Sequence, residues 1–61
     1  MILDRDDAAV LHLESCWLEE AFYGIHNSCN IPTSEMKEAL EHLESMKGII
    51  TKALEKQNGN G

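Results

Sequence analysis

The sequence predicts an all-α chain: an antiparallel helical hairpin that dimerises into a four-helix bundle. Three observations predict it. Apolar residues recur at helical spacing along two arms of similar length, and a single break, Asn27-Ser28-Cys29-Asn30-Ile31-Pro32-Thr33, divides them. The third is quantity, because a two-helix hairpin cannot hide the apolar surface the arms carry. At 61 residues there is room for one small domain. Below roughly 70–80 residues a lone core seldom supplies more than about 3–5 kcal/mol without disulfides, metal or a partner chain. A second copy of the chain is the expected remedy.

Helix 1 is expected over about residues 5–26. Asp4 can accept from the free backbone donors of the first turn, Asp6 and Asp7 sit where the helix dipole favours negative charge, and Leu3 can staple against Ala8. At about 100° per residue, Leu13, Trp17, Val10, Ala21, Glu14, Ile25, Leu18, Leu11 and Phe22 fill an arc of roughly 180°. An ordinary surface helix needs an apolar stripe of about 100°. Helix 1 is therefore expected to touch more than one neighbour, with helix 2 of its own chain covering part of the arc and a second chain the rest.

After a turn at 27–33, helix 2 is expected over about 34–57. Thr33 or Ser34 can cap it, Pro32 suits its first turn, and Glu35 adds favourable charge there. Met36, Leu43 and Ile50 recur every seven residues, as do Ala39, Met46 and Ala53, which gives an a/d seam over nearly three heptads. Leu40 and Leu54 widen it on one flank, and the alanines let helix backbones approach closely. Gly48 inside the helix needs a packing reason. Residues 58–61, Asn-Gly-Asn-Gly, are expected to form a disordered tail. The dimer core is expected to hold Val10, Leu13, Trp17, Leu18, Leu43, Met46 and Ile50.

Composition narrows the function. Eleven acidic residues against five basic ones give a net charge of −6, the wrong sign for gripping phosphates, so nucleic-acid binding is not expected. Lys47, Lys52 and Lys56 lie in the second arm with glutamates around Lys47, which reads as a solvated helix surface rather than a basic patch. Neither a signal peptide nor a membrane-length apolar run is evident. An internal disulfide is not expected, since Cys16 lies about 15 Å of helix before the turn that carries Cys29, beyond the roughly 7 Å a disulfide spans. Free thiols fit a reducing compartment, and the chain is expected to be cytoplasmic.

No motif specifies a reaction or a ligand. His12 and Cys16 share a face at i, i+4 and His26 and Cys29 are three apart, spacings at which nitrogen and sulfur can reach one zinc. The two pairs are too distant within one hairpin to complete a tetrahedral site, so no metal and no cofactor is expected. A thin hairpin also lacks the deep pocket and oxyanion donors that a Cys16 nucleophile with a His12 base needs, so the chain is not expected to be an enzyme.

Glu14 is an anomaly within the apolar arc. It is expected to reach water at an interface rim; the alternative is a register-fixing pair with Lys47. A short echo, His12-Leu13-Glu14-Ser15 against His42-Leu43-Glu44-Ser45, is centred on the turn. Its copies differ in helical phase, and coincidence is the expectation. A further stripe of helix 1, Ile2, Ala9, Cys16 and Tyr23 at intervals of seven, runs beside His12 and Glu19. Exposed apolar and aromatic groups in a line mark a partner site, so His12, Cys16, Glu19 and Tyr23 are the candidate partner-binding residues.

The architecture resembles that of Rop-like dimeric hairpins in shape, and shape does not confer function. The expected function is that of a small acidic regulatory or adaptor protein, of inhibitor or anti-activator type, which works as a homodimer by binding another protein. The alternatives are a Rop-like nucleic-acid-binding hairpin dimer and a structural subunit of a larger assembly.

Overall fold

The computed structural model describes residues 1–59, for Asn58 and Gly59 the backbone alone. Three helices follow in order: α1 (Arg5–Ala21), α2 (Ile25–Ser28) and α3 (Thr33–Gly59). No strand occurs among the described residues. The long helices α1 and α3 pack on each other. Their direction follows from two side-chain pairs, Asp7 with Lys52 and Glu14 with His42, whose numbers rise on one helix as they fall on the other. The molecule is an elongated antiparallel hairpin measuring 45 × 17 × 16 Å.

α1 starts where expected, with Asp4 at the N-cap and its carbonyl accepting from the Ala8 amide at 2.9 Å. The Asp4 side chain makes no capping hydrogen bond. The first arm, expected to continue to about residue 26, instead stops at Ala21. Backbone geometry gives the reason. The Phe22 amide still reaches the Leu18 carbonyl, but Tyr23 and Ile25 donate only three residues back, to Glu20 and Phe22, and Gly24 turns left-handed at φ +71°. Nothing lies within 4 Å of a Cβ built on Gly24. The position therefore favours glycine for its dihedral and not for space. One turn of helix, α2, follows and is closed by Cys29, also left-handed at φ +54°.

α3 begins at Thr33, the Pro32 carbonyl accepting from the Met36 amide at 3.0 Å, and runs unbroken to Gly59. It passes the expected end at residue 57, and residues 60–61 of the expected tail lie outside the described residues. Gly48 is an exposed helical position with open space around it, and no packing reason for the glycine is present.

Half of the expected a/d seam faces α1: Ala39, Met46 and Ala53 do, and Met36, Leu43 and Ile50 do not. α3 turns Ala39, His42, Met46, Ile49 and Ala53 toward α1, all buried or half-buried, while the expected seam residues Leu43 and Ile50 are exposed. Opposite them α1 turns Leu11, Glu14 and Leu18 inward. The core residues are Leu18 and Ala39, the latter only 1% exposed. At Ala39 the missing side-chain bulk lets α1 come close, and Ala53, about four turns further along α3, presents a second small side chain on the same face.

Candidate protein-binding surfaces

The inner seam carries one polar cluster. Glu14 Oε2 hydrogen-bonds His42 Nδ1, and the Trp17 ring lies over the His42 imidazole with centroids 4.3 Å apart and planes tilted by 34°. The side chains of Glu14 and His42 are 19% and 28% exposed. Glu14 therefore does not reach out to water from a rim, and its partner is not Lys47, which is exposed. The echo explains the pairing. An antiparallel hairpin sets its two copies level, so the glutamate of the first meets the histidine of the second, and the phase mismatch between Glu14 and Glu44 is irrelevant to that contact.

The expected partner stripe lies on the outer side of α1. Cys16 Sγ sits 3.6 Å from His12 Nε2, and Cys16, Glu19, Glu20 and Tyr23 together line a shallow depression. The structure thus brings the four candidate residues His12, Cys16, Glu19 and Tyr23 into one strip. Tyr23, held in the turn after α1, is 89% exposed. Both thiols are free and exposed; Cys29 Sγ faces only the His26 carbonyl at 3.8 Å. Among the described residues no group of three or more His, Cys, Asp or Glu converges as a metal site would need.

Of the expected dimer-core residues, the hairpin itself buries Leu18 and half-buries Trp17 and Met46, and it leaves Val10, Leu13, Leu43 and Ile50 exposed. These exposed groups form two flanks. On α3, Met36, Leu40, Leu43, Ile50 and Leu54 are each 45–57% exposed and share one side. Phe22 joins them around a groove with Met36, Leu40 and Leu43. Val10, Leu13 and Trp17 lie on the other side of α1 from Phe22, by the 100° step of the helix, and Trp17 accordingly borders a different groove, with Glu20, Ala21 and Glu35. The sequence placed Leu40 and Leu54 beside the seam and Phe22 on the apolar arc of helix 1, but His42 was missed. Its signal was positional: His42 stands level with Glu14.

The exposed area of the hairpin also exceeds that of a compact monomer, as its elongated shape requires. The chain exposes 5099 Å². A compact monomer of its 6.8 kDa mass exposes about 4,000 Å², so the surplus is about 1,100 Å². A fourth concavity, at the open end between Leu3, Asp4 and Asp7 of one arm and Lys52, Ala53 and Lys56 of the other, is of mixed charge, and Lys52 Nζ lies 3.9 Å from Asp7 Oδ2. No described helix is long and apolar enough to cross a membrane. No protein-family model, curated protein or solved structure matches this chain.

Proposed function

We propose that the chain is a small acidic regulatory or adaptor protein, of inhibitor or anti-activator type, that works as a homodimeric four-helix bundle and binds another protein. The observation that carries the reading is the row of large apolar side chains left 45–57% exposed on α3, Met36, Leu40, Leu43, Ile50 and Leu54, on an otherwise acidic hairpin. A surface of that kind is covered in use.

The strip of His12, Cys16, Glu19 and Tyr23 supplies the contact with the other protein. Its exposed aromatic ring beside Glu19 and Glu20 fits a partner that presents lysine or arginine, whose cation can sit over the ring while the carboxylates pair with it. Tagged protein should capture a partner whose retention falls as salt rises, and the Cys16→Ser/Tyr23→Ser variant should lose it while keeping its helical signal and its mass in light scattering. If that variant stays folded and retains every partner, the strip is not the binding surface. If it unfolds or dissociates, the two residues belong to the core.

A further inference from the structure

The α3 flank has an order that its hydrophobicity alone does not require. Met36, Leu40, Leu43, Lys47, Ile50 and Leu54 form a stripe whose positions are spaced symmetrically about Ser45, with Met36 opposite Leu54, Leu40 opposite Ile50, and Leu43 opposite Lys47. Lys47 is its one charge. Along the outer edge of this stripe run Lys37, Glu44 and Glu55, all exposed.

We propose that this flank is the seam of the homodimer, covered by the same flank of a second copy running antiparallel about a two-fold axis level with Ser45. The inference rests on the homodimer reading above and adds the face, the direction and the register. Geometry and charge agree on it. A two-fold axis at Ser45 sets Leu40 level with Ile50 of the second copy and Met36 level with its Leu54, so apolar groups meet on both sides of the centre, while at the centre Leu43 lies level with Lys47, whose methylene stem can pack against it. Lys47 comes within about 1.5 Å in height of the other copy's Glu44, and Lys37 within about 3 Å of its Glu55. Symmetry makes each pair twice. A parallel arrangement in register instead sets Lys47 against Lys47 at the centre of the seam and carries the Glu44 and Glu55 edges to opposite sides, so it gains a repulsion and loses both attractions.

The remaining helices also fit. On α1 the side that continues this flank carries Ala8, Leu11, Ser15 and Phe22 at spacings of three, four and seven. Phe22 borders the groove with Met36 and Leu43, and Ala8 and Ser15 are small enough for a second α1 to approach. Four helices then close around one core.

Sedimentation equilibrium from low micromolar to several hundred micromolar protein, with circular dichroism as the folding check, tests the proposal. Wild-type chain should sediment as a dimer. Leu43→Asp should sediment as a monomer, whereas Leu13→Asp, on the opposite flank, should remain dimeric. Lys47→Glu alone and Glu44→Lys alone should each raise the dimer dissociation constant about tenfold, because each turns two attractions into repulsions, and the combined swap should restore it to within about twofold. These two positions are exposed on the hairpin, so folding is not at stake in them. A wild-type chain that stays monomeric at every concentration overturns both the homodimer reading and this one. A dimer that survives Leu43→Asp but not Leu13→Asp keeps the homodimer and overturns the face. A dimer that breaks with Leu43→Asp but is indifferent to the charge swaps overturns the antiparallel register.

Discussion

Replacing His42 by alanine tests the inner seam at its one polar point. His42 holds the Glu14 carboxylate and carries the Trp17 ring on its other side. Removing it leaves Glu14, only 19% exposed, without its hydrogen bond. A charge-assisted hydrogen bond contributes about 1.5–3 kcal/mol, and partial access of water to the carboxylate argues for the lower end. Loss of the ring contact adds about 0.5–1.5 kcal/mol. The expected cost of His42→Ala is therefore about 2–3 kcal/mol, a drop of roughly 10–20 °C in melting temperature for a domain of this size. Urea unfolding followed by circular dichroism at fixed protein concentration measures it, fixed because a dimer's stability moves with concentration. The double variant Glu14→Leu/His42→Leu has the opposite expectation. It removes both polar partners and lines two leucines along the seam, so it should be neutral or stabilising. A loss under half a kilocalorie for His42→Ala refutes the reasoning, as does a double variant less stable than either single one.

Three other outcomes follow from the hairpin. Ala39→Leu forces a large side chain between α1 and α3 at the most buried position and should cost about 1–3 kcal/mol by thermal melting. The two left-handed residues have opposite signs: Gly24→Ala should destabilise by about 1–2 kcal/mol, and Cys29→Gly should stabilise by about 0.5–1 kcal/mol, read from paired urea melts. Leu43→Ala should depend on concentration, costing about 1 kcal/mol or less in dilute hairpin, where Leu43 is 46% exposed, and about 2–5 kcal/mol where a second copy covers it.

Much of the architecture was legible because helical periodicity and chain breaks are local signals. The start of α1 at Arg5 and its Asp4 N-cap position could be read directly, as could the long second helix. The early end of α1 was hidden because Tyr23 and Ile25 continue an apolar pattern through a glycine that ends the helix by its dihedral. Half of the seam was misplaced for a different reason. α3 carries two adjacent apolar stripes, and periodicity cannot say which faces its own chain; Ala39, Met46 and Ala53 of the expected seam face α1 together with His42 and Ile49, and the two alanines permit close approach. The Glu14 pairing depended on the level of the two arms, a long-range property that the Lys47 alternative missed by about one turn. The strip around Cys16 and Tyr23 was legible because it lies within one helix and the turn after it.

The two apolar flanks on opposite sides of the hairpin have a consequence for how many chains can join. A flank that fits itself saturates at two molecules, because each contact uses the same patch on both partners. A flank that fitted the opposite flank would leave one patch unsatisfied at either end of every complex, and growth would have no natural stop. In the proposed dimer the stripe centred on Ser45 is of the first kind, while Val10 and Leu13 on the far side have no such order. With six net negative charges on every chain, each added molecule also meets rising repulsion. Single substitutions that neutralise charge beside Val10 and Leu13 are thus the ones expected to turn a finite assembly into fibres.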